Sequence, residues 1–98
     1  MLKTKSKAVA QAQALALQGD LAAMELLARR FFDGRGVEQC HLMSYIWASI
    51  ATARGVKHLG SLSAFSFKKM DPEQVNNMPQ QMAQTHSQLP PMAITDVA

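Results

Sequence analysis

Within the stretch FFDGRGVEQCH, residues 31–41, lie Asp33, Glu38, an arginine between two glycines, and the adjacent pair Cys40 and His41. Such residue types could build a phosphate cradle, a nucleic-acid loop, a metal corner or a turn. A phosphate loop of the Walker kind needs a preceding strand and a lysine followed by serine or threonine, and both are missing. A dinucleotide fingerprint needs a third glycine inside a strand–helix–strand unit. Zinc sites draw four ligands from spaced pairs, whereas His58 and His86 have no paired partner at ligand spacing. A cysteine nucleophile and its histidine meet in space rather than in adjacent positions, and nothing in the sequence marks Cys40 as an acidified thiol. Cys40 therefore reads as a buried or half-buried packing residue. No catalytic residue, metal ligand set or cofactor is expected, and the chain reads as a non-enzyme.

What remains is a turn, and a turn needs elements on either side. The 98 residues allow one small domain, and 48% hydrophobic with 17% charged residues is a globular balance. Much of the apolar fraction is alanine, which buries little area at ~25 cal/mol per Å², so such a chain gains from self-association or from a partner. With one cysteine there is no internal disulfide, which favours a reducing, cytoplasmic setting. The opening MLKTKSKAVAQAQALALQGD has the lysines of an export signal, but Gln11, Gln13 and Gln18 interrupt its apolar part. No apolar run reaches the ~20 residues of a membrane span.

The net charge of +3 is segregated: three lysines and no acid in residues 1–19, and three acids and no base in 71–98. Between 39 and 70 stand Arg54, Lys57, Lys68 and Lys69 without an acid. Nucleic-acid binding would require these basic stripes to converge on one face with aromatic residues at stacking positions, and aromatics are few. Solvated helix faces account for the charges more simply.

Helical spacing dominates the chain, with glycines between the segments. A first helix is expected over Ser6–Gln18, ended by Gly19. Asp20 then caps a second helix that runs to about Asp33 with an apolar stripe of Leu21, Met24, Leu27, Ala28 and Phe31. A third, over about Gln39–Arg54, places Leu42, Met43, Tyr45, Ile46, Trp47, Ile50 and Ala51 on more than one face, so it packs on two sides. Ala48, Ser49, Ala51 and Ala53 permit close approach of a neighbour. A fourth follows Val56, with Leu59, Leu62 and Phe65 as its apolar positions. MDPEQV marks the sharpest start: Asp71 as cap, Pro72 at the first helical position, Gln74 to close a capping box, and Val75 to meet Met70. Val75, Met78 and Met82 line that fifth helix, and Pro79 predicts a kink or break in it. Residues 87–98 read as a mobile tail or docking peptide. FFDGRGVEQC is then a helix-to-helix connection in which Gly34 and Gly36 permit positive φ and close backbone approach.

Leu27, Ala28, Phe31, Gly34, Gly36, Val37, Cys40, Ser44, Trp47, Ala51, Thr52 and Gly55 together resemble one Sel-one-like repeat, the helical-hairpin relative of the tetratricopeptide repeat. Leu27, Gly34, Gly36, Val37, Trp47, Ala51 and Gly55 match its pattern directly, and Phe31 stands where tyrosine is preferred. Ala28 replaces a glycine, Ser44 and Thr52 replace alanines, and Cys40 replaces an aspartate that would cap the second helix, handing that task to another group. MDPEQV resembles the helix start that closes bacterial proteins of this family after their last repeat. The resemblance covers about residues 8–84, with the full motif at 20–55.

It implies an all-α, solenoid-like stack of about five helices in a single domain over residues 1–86, with 6–18 and 57–84 as flanks. One repeat cannot bury both faces of its helix pair, which leaves a homodimer surface or a partner groove. The implied function is a non-enzymatic adaptor of bacterial complexes that offers a helical groove to a protein or peptide. Arg29, Arg30, Tyr45, Ser49 and Arg54 are the candidate partner-binding residues. The alternative is a small nucleic-acid-associated regulator using the basic stripes.

Overall fold

The computed structural model describes residues 6–90. Among them are five helices and no strand: α1 (Lys7–Leu17), α2 (Leu21–Asp33), α3 (His41–Ala53), α4 (Gly60–Lys69) and α5 (Pro72–Ser87). The protein is all-α. Lys3 and Lys5 of the basic N-terminal stripe, and residues 91–98 of the expected tail, lie outside the described residues.

Four of the five helices start where a short side chain accepts from the first free amides. Ser6 Oγ accepts from the Ala8 amide at 3.1 Å, and Asp20 Oδ1 accepts from the Ala23 amide at 2.9 Å. The capping box of α5 is complete: Asp71 Oδ1 accepts from the Gln74 amide at 2.8 Å, and Gln74 Oε1 accepts from the Asp71 amide at 3.2 Å. At α3 the cap is Cys40 itself, whose Sγ accepts from the Met43 amide at 3.5 Å. Cysteine thus holds the cap itself as a weak acceptor, and the task does not pass to another group. Helix α4 has no side-chain cap.

Two glycines shape the α2–α3 connection. Gly34 sits at φ 71° as the left-handed terminus of α2, its amide donating to the Arg30 carbonyl at 2.8 Å. Gly36 is at φ 78°, and a Cβ there would lie 2.7 Å from Ser6 Cβ and 3.0 Å from Val9 Cγ2. The loop is therefore pressed against the first turn of α1, a closeness that only glycine allows. Val37, next in sequence, is buried in the core that this contact closes.

Helix α3 is the centre, packing against α2, α4 and α5, while α1 covers α2. Met24, Leu27, Ala28 and Phe31 from α2 meet Ile46, Trp47, Ala48, Ile50 and Ala51 from α3 in one buried cluster, joined by Val9, Ala12 and Ala16 from α1. Each fully buried leucine, isoleucine, methionine or phenylalanine contributes ~1.5–3 kcal/mol relative to exposure.

The register of α4 differs from the apolar spacing in its sequence. Leu59 is buried and Leu62 half-buried, but Phe65 is 54% exposed, and the small Ser66 is the residue that turns inward. Ser66 Oγ lies 2.9 Å from Ser44 Oγ of α3, and Ser44 donates to the Ala28 carbonyl of α2 at 2.8 Å. Since the Ser44 hydrogen goes to that carbonyl, Ser66 is the donor to Ser44. Close helix approach selects small hydroxyl residues here over a bulky ring, which would hold the helices apart.

Helix α5 runs through Pro79 without a break, so of the expected kink or break the break does not occur. Pro79 is solvent-exposed, so the helix forgoes the bond to Val75 without losing core packing, and half-buried Met82 beyond it packs against the core. Of the stretch 87–98, expected as a mobile tail or docking peptide, residues 87–90 are described and are docked. Ser87 closes α5, Leu89 is buried in the core, and Pro90 is fastened on both sides. Its carbonyl accepts from Arg54 Nη2 at 2.9 Å, and its Cγ stands 3.2 Å from where a Cβ on Gly19 would lie.

Candidate functional site

Helices α1 and α5 stand on either side of a groove floored by α2 and α3, with a volume of about 600 Å³. The α1 wall presents Gln13 and Leu17, one turn apart. On the opposite wall Gln81, Thr85 and Gln88 of α5 recur at four and three residues, one stripe along two turns of helix. The floor is apolar: Phe31 from α2, then Cys40, Met43 and Trp47 from the inward face of α3, with Leu42 at the edge.

Local structure explains why these side chains converge. Cys40, Met43 and Trp47 share a face of α3 because they are spaced by three and four residues. The Cys40 cap fixes where α3 begins and hence which way that face turns. Thr85 Oγ1 donates to the Gln81 carbonyl at 3.0 Å, which ties the hydroxyl to its own helix. Leu89 and Pro90 fasten the end of α5 to the α1–α2 turn and to the end of α3, and so set the position of that wall. The Arg54 guanidinium lies just beyond the C-terminal ends of α3 and α5, where the helix dipoles favour a cation. Its Nε is buried without a hydrogen-bond partner among the described residues, so Nη2 carries the tether.

The five candidate partner-binding residues do not line this groove. Arg29 is exposed on α2 and pairs with Glu25 at 3.2 Å. Arg30 Nη1 donates to the Arg35 carbonyl at 3.4 Å, bracing the α2–α3 loop. Tyr45 sits against Phe67 of α4, ring centres 5.5 Å apart, and Ser49 is half-buried one turn further along α3. Arg54 holds Pro90. Polar or amphipathic character on the repeat helices marked these positions, but most of them serve intramolecular contacts. Of the repeat-signature residues, Phe31 and Trp47 reach the floor of the groove, Leu27, Val37 and Ala51 are buried in the core, and Gly34, Gly36 and Gly55 adopt positive φ. Gln13, Gln81, Thr85 and Gln88 escaped sequence reasoning. Their only signal was polar residues at helical spacing, which ordinary solvent-facing stripes share.

The residues that first suggested chemistry have structural roles. His41 stacks edge-on to Phe32 at 5.3 Å between ring centres, and its pKa is lowered, chiefly by burial and also by the charge of Lys69. His58 Nε2 meets Glu25 Oε2 at 2.9 Å and joins the α3–α4 loop to α2. The His58 contact is the main reason that the Glu25 pKa is lowered; desolvation opposes it, and Arg29 adds to it. Among the described residues no three metal-ligating side chains come together, and no helix is long and apolar enough to cross a membrane. No family model matches the chain, and neither a curated protein nor a solved structure matches it.

Proposed function

We propose that this protein is a non-enzymatic interaction module, built on a single Sel-one-like hairpin with flanking helices, that takes a segment of another protein into the groove between α1 and α5. The observation that carries the reading is the groove itself. Its floor of Phe31, Met43 and Trp47 is apolar, and its two walls come from helices that lie far apart in the chain. Such a concave apolar surface with a few convergent polar groups is the usual form of a recognition site. The α2–α3 hairpin with its two positive-φ glycines supports the repeat resemblance.

Phe65, 54% exposed on α4 and outside the groove lining, is the apolar side chain on which a homodimer would rest. The nucleic-acid alternative draws less support. Arg54, one of the charges it would use, is already engaged with the Pro90 carbonyl.

Covalent capture tests the groove. Met43→Cys and, separately, an exposed control, Asn76→Cys, each made in a Cys40→Ser background, would carry a photocrosslinker into a native extract. Specific adducts from position 43 that disappear when a bulky group fills the groove at Gln81 support the reading. Equal adducts from both positions overturn it.

A further inference from the structure

Among the described residues, the groove lining contains no aspartate, glutamate, lysine, arginine or histidine, and Cys40 is its one ionisable side chain. A charged group entering it would meet no opposite charge from the lining, so whatever hydration it gives up there goes uncompensated. The lining therefore discriminates against charge, including the carboxylate of a fatty acid and the phosphate of a nucleotide. It is not uniformly apolar, however. Gln81 and Gln88 place two amides on the α5 wall, with the Thr85 hydroxyl between them.

An amide donates and accepts at once, so a row of amides meets a peptide backbone in either direction without using charge. A helical ligand has its backbone groups satisfied internally and would leave that row unused. An extended ligand exposes alternate N–H and C=O groups to the wall and turns every second side chain toward the floor. Resting on the interaction-module reading above, we infer that the groove is specific for an extended peptide segment of uncharged, apolar side chains. The amides of Gln81 and Gln88 would bind its backbone, and Phe31, Met43 and Trp47 its side chains.

Trp47 is the only tryptophan of the chain and is 5% exposed at the groove floor, so its emission reports occupancy directly. The full chain would be titrated with an acetylated, amidated heptapeptide alternating threonine with leucine, isoleucine and methionine. The same peptide with a central glutamate or lysine, an alanine-rich helical peptide, and dodecanoate would be titrated in parallel. A saturable change with the neutral extended peptide is expected, with binding at least about tenfold weaker for either charged peptide, since one uncompensated charge is worth that much or more. Gln81→Arg, at a half-buried position on the groove wall, should reverse the order by favouring the glutamate peptide over the neutral one.

Equal binding of charged and neutral peptides, or preference for dodecanoate or the helical peptide, overturns the specificity while leaving the groove as a binding site. Emission that changes with protein concentration alone makes a second copy the occupant, and emission that changes on truncation after Pro90 makes it the chain's own residues 91–98; either result overturns the inference. Silence of Trp47 toward every probe removes both the inference and the groove reading.

Discussion

Ser44 Oγ and Ser66 Oγ lie 2.9 Å apart in the interior, and Ser44 hands its hydrogen to the Ala28 carbonyl at 2.8 Å, so three helices share one chain of hydrogen bonds. Removing the middle member strands the outer one. Ser44→Ala should cost about 1–3 kcal/mol, because the Ser66 hydroxyl is then buried without a partner. The Ser44→Ala/Ser66→Ala pair should cost clearly less than the two single changes added together. Urea denaturation of the four proteins in the cycle checks this, and strict additivity would rule out the coupling.

The loop contact at Gly36 makes a second prediction. Gly36→Ala introduces a Cβ 2.7 Å from Ser6 Cβ at a φ of 78°, so steric and conformational penalties coincide. A loss of about 2 kcal/mol or more is expected, whereas Gly55→Ala, whose added Cβ meets nothing within 4 Å, carries the φ penalty alone, about 1 kcal/mol. Thermal unfolding distinguishes them; equal losses would mean that the loop does not press on α1.

The fastening of α5 can be tested at both of its attachments. Leu89→Ala should destabilise by about 2 kcal/mol through the vacated core space. Arg54→Ala should release the Pro90 carbonyl, making α5 more accessible to limited proteolysis near Gln84–Gln88 while α2 and α3 stay protected. Uniform digestion in both variants would contradict a local tether.

Acid should weaken the fold through two groups, and the sign is the same for both. His41 binds its proton less readily in the folded state than in the unfolded chain, so its contribution is present above its ordinary pKa of 6.5 and declines as pH falls below that value. Glu25 is held below its ordinary 4.5 by His58 first, so its contribution is present above 4.5 and is lost as pH falls further. An NMR titration should give a His41 midpoint below 6.5, and His58→Ala should raise the Glu25 midpoint. A normal His41 midpoint would mean that burial against Phe32 is absent in solution.

Phe65 is mostly exposed, so Phe65→Ser should change stability by no more than about 0.5 kcal/mol. It should also reduce self-association measured by sedimentation velocity over a wide concentration range. A wild-type mass that stays monomeric at every concentration would remove the homodimer proposal.

Helix number and order could be read from the sequence because caps and apolar spacing are local signals. Asp20, Asp71 and Gln74 announce helix starts through bonds that span three residues, and the α2 stripe needs only its own periodicity. The rotation of α4 was not legible, because it depends on Ser66 finding Ser44, a residue outside its own helix. The anchoring of Leu89 and Pro90 was hidden for the same reason: its partners are Arg54, the core and the α1–α2 turn. The groove was least legible of all, since Gln81 and Gln88 gain meaning only when α5 lies opposite α1.

Because Gln13 and Gln81 line one groove from the first and last helices described, the groove has a place in time as well as in space. The α1–α2–α3 hairpins can close on local contacts, whereas α5 must travel back over α3 before any cleft exists. Newly made chains should thus acquire their core before their binding surface, and native-state hydrogen exchange should find α5 opening ahead of α2 and α3. A partner that grips both walls would then act as the fastener of that last helix, converting an opening step of the free protein into a measure of whether the groove is filled.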